Sequence, residues 1–140
     1  MPSSLGKLGE DYAAAYLDQL GYRLVAANFT LPVGRNLRGA VVNAEIDLVA
    51  YDGDTLCFIE VKTRASDWFA PPQVNVDLRK RRQITRAARA YRQMLGIEDE
   101  PHRYDVVTVV LGESLKIELL RNFWTEESLR KRRWSANFFD

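Results

Sequence analysis

The residues best suited to chemistry are Asp47 and the tripeptide Glu60-Val61-Lys62. Mg²⁺ and Mn²⁺ prefer oxygen ligands, and one or two carboxylates often hold such an ion while water and a substrate phosphate fill its other positions. Asp47, Glu60 and the backbone carbonyl of Val61 would supply an incomplete shell of this kind. Lys62 would orient or activate the attacking water. These residue types therefore predict metal-assisted hydrolysis of a phosphate ester.

A β-hairpin is predicted to position these residues. Segments 45–51 and 55–63 alternate as strands, and Gly53-Asp54 is a strong signal for a two-residue turn. This turn places Asp47 opposite Glu60, with Cβ atoms about 4.5–5.5 Å apart. Alternation along each strand predicts which side chains share a face of the sheet. In the first strand, one face carries Glu45, Asp47, Val49 and Tyr51, and the other carries Ile46, Leu48 and Ala50. In the second strand, one face carries Leu56, Phe58, Glu60 and Lys62.

A surface hairpin with a cross-strand salt bridge is the alternative explanation for these charges. Lys62 would then only offset the two acids. However, Glu60 lies in the apolar run 57–61, which is typical of a central strand, and an unpaired carboxylate there is costly. Metal binding is therefore the preferred interpretation.

The remaining pattern predicts an α/β fold in a single domain over 1–140. Helices are expected at 5–20 and 76–95, strands at 22–30, 104–111 and 115–121, and a short helix capped by Thr125 near the C-terminus. Segment 31–44, with one proline and two glycines, predicts a flexible loop. The order αβββαββ implies a sandwich with a central mixed β-sheet flanked by helices.

Composition narrows the class of protein. The chain has 140 residues, 46% of them hydrophobic, which suffices for one real core. The single cysteine, Cys57, excludes an internal disulfide, and the sequence shows neither a signal peptide nor an apolar run long enough for a bilayer. We therefore expect a cytoplasmic protein with no membrane partner. No glycine-rich phosphate loop precedes a helix, so no nucleotide cofactor is expected.

Basic residues are segregated although the formal net charge is only +1. A stripe at three- and four-residue steps on the second predicted helix would suit phosphates. A solvated arginine-rich face is the competing explanation. Weaker candidates lie in segment 31–44 and in a basic C-terminal extension at about 124–140. The predicted nucleic-acid contacts are Arg79, Lys80, Arg82, Arg86, Arg89, Arg35 and Arg38.

Several motifs together resemble the YraN family, which is similar to the PD-(D/E)xK nucleases, including archaeal Holliday junction resolvases. The resemblance runs from about Gly6 to Val110. It rests on Gly9-Glu10, Gly21-Tyr22, Asn28, Glu45-Ile46-Asp47-Leu48-Val49, Phe58-Ile59-Glu60-Val61-Lys62-Thr63-Arg64, Lys80, Ala88, Tyr91 and Tyr104-Asp105-Val106-Val107.

The resemblance implies a restriction-endonuclease-like fold, metal ligation by Asp47 and Glu60, and a catalytic Lys62. It also implies an accessory acid at Glu10, with metal ligation as one candidate role, although helical geometry alone favours a solvated acid at this position. The resemblance implies supporting roles for Glu45, Arg64 and Lys80. Without the resemblance, a strand-edge acid is an equally good explanation of Glu45.

The leading hypothesis is a Mg²⁺- or Mn²⁺-dependent endonuclease acting on DNA, with branched and single-stranded DNA among its candidate substrates. One alternative is a non-catalytic nucleic-acid-binding module on the same fold. Another is a partner-docking module that uses Trp134, Phe138 and Phe139, with a second copy of the chain as one candidate partner.

Overall fold

The computed structural model describes residues 4–65 and 75–130. Its elements follow the predicted order αβββαββ and end in a short 3₁₀ helix. They are α1 (Ser4–Gln19), β1 (Arg23–Arg35), β2 (Val41–Asp52), β3 (Thr55–Arg64), α2 (Leu78–Leu95), β4 (His102–Leu111), β5 (Leu115–Trp124) and the 3₁₀ turn Glu127–Leu129. None of the described helices is long and apolar enough to cross a bilayer.

One five-stranded sheet in the order β1-β2-β3-β4-β5 forms the middle layer. Only the β3–β4 pair is parallel, so the sheet is mixed. Helix α1 covers one face over a core that includes Ala13, Leu17 and Ile59. Helix α2 covers the other, where Phe58 and Ile84 are buried. The predicted α/β sandwich is therefore confirmed, with the apolar strand β3 at its centre.

The predicted flexible loop at 31–44 is wrong. β1 continues to Arg35 and β2 begins at Val41, so only residues 36–40 connect the two strands. Leu31 is buried against the α2 side of the core and pairs with Ala44, which extends the hairpin. Pro32 is tolerated because β1 is an edge strand, where a missing N–H need not break the ladder.

The ends of α2 and of the described chain follow local capping signals. The Asp77 side chain accepts a hydrogen bond from the Lys80 N–H, and Gly96 ends the helix in the left-handed region. Thr125 and Ser128 exchange hydrogen bonds as a reciprocal cap. In the predicted basic extension, residues 131–140 lie outside the described residues, and Trp134, Phe138 and Phe139 lie there with them.

Close packing of α1 on β3 depends on Gly9. A Cβ atom built there would lie 1.9 Å from Thr63 Oγ1, so a side chain at this position must displace the helix or the strand. The next residue is Glu10. The packing of Gly9 on Thr63 therefore determines how closely Glu10 approaches the sheet.

Gly9→Ala is expected to destabilise the protein by about 1–3 kcal/mol, because it overpacks the helix–strand contact. At an open helical position the same change would stabilise by about 1 kcal/mol, so the sign is diagnostic. Urea unfolding measures the difference. Adding Thr63→Ala should restore part of the loss, and a Gly9→Ala protein as stable as the parent would contradict the proposed contact.

Candidate active site

Strands β2 and β3 separate at the predicted site. Their pairing runs from Asp52↔Thr55 to Leu48↔Ile59, in the register that the Gly53-Asp54 turn predicts. Beyond it, β2 follows β1, whereas β3 continues beside β4. The next pair expected, Asp47 with Glu60, is not part of the ladder. Instead the Asp47 Oδ2 atom accepts a hydrogen bond of 2.8 Å from the Val61 N–H. The two strands therefore diverge where the two acids lie, and the space between them is the cleft of the candidate site.

The alternation of side chains also breaks at Asp47. Ile46 and Val49 both pack in the α2-side core, whereas Leu48 packs under α1. The prediction that Ile46 and Leu48 share a face is therefore wrong. On β1, Asn28 lies between the pairs Ala27↔Leu48 and Phe29↔Ile46 and has a φ of 51°. A residue in the left-handed region turns the strand, and this turn is the physical reason that the alternation fails.

Glu60 is a buried acid without a full set of partners. Its relative exposure is 5%, and no atom of the described residues makes a hydrogen bond to Oε1. The other oxygen, Oε2, lies 3.8 Å from the Lys62 Nζ atom, whose side chain is 40% exposed. An unsatisfied buried carboxylate oxygen costs free energy unless something binds it. A divalent cation is a suitable ligand, and the two carboxylates and the Val61 carbonyl are the right donor types for Mg²⁺ or Mn²⁺.

Asp47 is strained electrostatically by its surroundings. Burial and the neighbouring Glu60 carboxylate raise its pKa from 3.8 to about 7, although the Val61 N–H and the Lys80 charge act in the opposite direction. Two acids that share one cleft repel each other, and a cation between them would relieve that repulsion.

Glu10 approaches the same cleft from the α1 side. Burial and the Asp47 charge raise its pKa, the Glu45 charge adds to the rise, and a hydrogen bond with Asn28 lowers it. In ranges 4–65 and 75–130, however, no three His, Cys, Asp or Glu side chains lie close enough to hold one metal ion. Glu10 therefore lies beside the Asp47–Glu60 pair and does not complete a shared three-carboxylate shell with it.

Asn28 is a site residue to which sequence reasoning assigned no role. It bonds Glu10, and it turns β1 at the position facing Asp47. The available signal was a polar residue within the apolar run 24–29. Asn is also among the few residues other than glycine that adopt the left-handed region readily.

The predicted basic stripe on α2 is divided by internal contacts. Arg86 donates a short hydrogen bond to the Val33 carbonyl, and Arg89 pairs with Glu126 at 3.2 Å. Within the part of the chain that the structure describes, the stripe residues whose side chains make neither an ion pair nor a hydrogen bond of the Arg86 kind belong to the first turns of the helix, where the Lys80 charge acts on Asp47. These residues are Arg79, Lys80 and Arg82.

Three further predicted basic positions lie at strand ends or in a turn. Arg64 ends β3 and is exposed, Arg35 ends β1, and Arg38 lies in the turn between β1 and β2. The predicted basic residues thus lie on α2, at the end of β3 and on the β1–β2 hairpin, and among them the Lys80 charge acts on Asp47.

Asp47→Asn is expected to stabilise the metal-free protein at pH 8. Because folding raises the pKa of Asp47, the folded protein is more stable when this acid is protonated than when it is charged. This contribution to stability is lost as the pH rises through about 7. The asparagine side chain still accepts a hydrogen bond from the Val61 N–H but carries no charge. In EDTA the free energy of unfolding should increase by about 2–4 kcal/mol at pH 8 and change little at pH 4. Urea unfolding at both pH values tests this, and a less stable variant at pH 8 would contradict it.

Comparison with known proteins gives a family match across most of the fold. The model of the uncharacterised protein family UPF0102 matches residues 9–109. A UPF0102 protein of Solibacter usitatus is 43% identical over 86% of this chain and 85% of its own. One from Geobacter sulfurreducens is 42% identical, with 84% and 86% covered. One from Syntrophus aciditrophicus is 40% identical, with 84% and 85% covered. The matched segment contains all four predicted catalytic residues.

Proposed function

The chain belongs to the UPF0102 family, the YraN family that its motifs predicted, and on the geometry of its cleft we propose that it is a divalent-cation-dependent endonuclease hydrolysing DNA phosphodiester bonds. The observation that carries this proposal is the buried Glu60 carboxylate, whose Oε1 atom lacks a described partner beside Asp47. A structural carboxylate would have both oxygens satisfied, as Asp105 does elsewhere in this sheet, where Oδ1 accepts from the Asn122 N–H and Oδ2 from Arg103.

Asp47, Glu60 and the Val61 carbonyl are the groups that would hold Mg²⁺ or Mn²⁺. When bound, the cation would polarise the scissile phosphate and lower the pKa of the attacking water. Asp47 is aimed into the cleft by the Val61 N–H, and this contact depends on the separation of β2 from β3. The backbone therefore orients one ligand before any ion arrives, which reduces the reorganisation needed for binding.

Lys62 is proposed to act on the water and the phosphate. It follows Glu60 by two residues on the same strand, and its ammonium lies near Glu60 Oε2 while the side chain remains partly exposed. From this position it can hold the attacking water by a hydrogen bond and offset charge that develops on the phosphate oxygens. Glu10, held by Asn28, is proposed to tune the charge of the cleft from the α1 side.

The proposed substrate follows from the cations around these acids. A cleft with a net negative charge would repel DNA unless basic groups surround it. Arg79, Lys80 and Arg82 begin α2, and Arg64 ends β3. They would bind backbone phosphates without regard to sequence, so DNA binding should weaken steeply with salt.

The proposed activity is tested with supercoiled, single-stranded and four-way-junction DNA, each incubated with Mg²⁺, Mn²⁺ or EDTA. The proposal expects cleavage that needs the cation and is lost in Asp47→Ala. Cleavage that persists in Asp47→Ala would overturn the site. DNA binding without cleavage of any substrate would favour a non-catalytic binding module on the same fold.

A further inference from the structure

The turn between β1 and β2 presents a fully exposed leucine on a rigid frame. Leu37 makes no protective contact with the described protein, and its side chain is entirely accessible. The turn is nevertheless ordered by hydrogen bonds, because the Asn36 side chain accepts from the Arg38 and Ala40 N–H groups at 2.9 and 3.0 Å. The backbones of Asn36 and Ala40 are also bonded at 2.9 Å. A rigid turn that holds an apolar side chain in water is preorganised to insert it elsewhere.

The hairpin that carries this turn is fixed to α2. Arg86 reaches across and bonds the Val33 carbonyl. A Cβ at Gly34 would lie 2.6 Å from an Arg86 nitrogen, so the two elements are in close contact. The hairpin tip therefore keeps its position relative to α2, from whose first turn the Lys80 charge acts on Asp47.

Basic residues flank Leu37 on both sides. Arg35 donates to the Gly39 carbonyl at 2.6 Å through one of its nitrogens, which leaves other donors for a phosphate, and Arg38 is exposed. Segment 33–42 contains no acid. An apolar side chain between two arginines matches DNA, where phosphates lie on either side of a base step. A protein partner with an apolar pocket would not require both arginines.

The distance to the acids matches a single DNA-binding surface. Asp47 lies six positions after Val41, which begins β2. At about 3.3 Å per residue the strand spans about 20 Å, roughly the length of six base pairs. DNA that reaches the cleft can therefore also reach the hairpin tip.

From these features we propose that Leu37 is a wedge that enters between bases, which would make branched or otherwise locally unpaired DNA the preferred substrate of the site. The inference rests on the proposed function. An apolar wedge costs least where stacking is already broken, so binding to a junction gains more from Leu37 than binding to a regular duplex.

The test is 2-aminopurine fluorescence, which rises when a base is unstacked, measured in EDTA so that cleavage is not involved. The probe is placed at the branch point of a four-way junction or inside a matched duplex. The wild type should raise the junction signal. Leu37→Ala should abolish most of that rise and weaken junction affinity by about tenfold, with a smaller effect on the duplex. Leu115→Ala, an exposed leucine at the opposite edge of the sheet, is the matched control and should match the wild type.

The possible outcomes distinguish failure of the proposed wedge from failure of the proposed nuclease function. If the wild type binds and cleaves DNA but Leu37→Ala leaves both the fluorescence and the junction affinity unchanged, the wedge is overturned and the nuclease stands. If Leu37→Ala alters only the sedimentation of the protein, Leu37 serves contact between copies and the wedge is overturned. If no DNA is bound at all, the wedge and the proposed function both fail.

Discussion

Glu60→Gln is expected to lower the rate of cation-dependent DNA cleavage by on the order of 10³-fold. Glutamine has almost the same shape as glutamate, so the burial of residue 60 should be retained. The amide removes the charge that would bind the cation, and it presents one oxygen where the carboxylate presents two. The loss should therefore appear in the chemical step rather than in DNA binding.

Single-turnover cleavage with saturating protein measures this loss without contributions from product release. Glu118→Gln, an exposed acid on β5, is the matched control and should keep the wild-type rate. A Glu60→Gln protein that cleaves within a few-fold of the wild type would show that Glu60 does not serve the chemistry.

Lys62→Met is expected to lower the same rate by about 10²–10⁴-fold, the usual range for a group that transfers or positions a proton. Methionine keeps most of the length of the side chain but has no ammonium. Because the Lys62 Nζ atom lies 3.8 Å from Glu60 Oε2, beyond direct hydrogen-bond range, its loss should leave the carboxylates able to bind the cation. The variant should separate catalysis from cation binding.

Two measurements on Lys62→Met are needed together. Cleavage should fall as stated, while the dissociation constant for Mn²⁺ should stay within about threefold of the wild type. Lys116→Met, on the distant edge strand β5, provides the control. A parallel loss of both properties would assign Lys62 to the structure of the site instead of to the reaction.

Most of the fold could be predicted because local signals determine it. The Gly53-Asp54 turn sets the register of β2 on β3 over every pair that forms, from Asp52↔Thr55 to Leu48↔Ile59. The ends of α2 follow from Asp77 and Gly96, whose capping properties are local. These features need no knowledge of the rest of the chain.

The opening between β2 and β3 could not be predicted, since it depends on three strands at once. β2 leaves β3 at Asp47 because it keeps its pairing with β1, and β1 turns at Asn28. The alternation of side chains along one strand does not reveal that a residue of the neighbouring strand adopts a left-handed backbone conformation. The same limit explains the error at 31–44, where Pro32 indicated a loop although an edge strand accommodates it.

The basic surface was predicted only in outline. Periodicity identifies the face of α2 on which arginines lie, but it does not reveal their partners. Glu126 engages Arg89 and Arg92, and Val33 engages Arg86. The remaining predicted cations of α2 are those of its first turns, which makes the available basic surface smaller than the sequence suggested.

Calorimetric titration with Mn²⁺ tests the central claim most directly, because it asks whether the acids of the cleft bind a cation. The wild type should bind Mn²⁺ at pH 8, and binding should weaken below pH 7, where Asp47 takes up a proton. Asp47→Asn and Glu60→Gln should each weaken binding by at least about tenfold, and Glu118→Gln should not. Equal affinity in the wild type and both site variants would contradict the account.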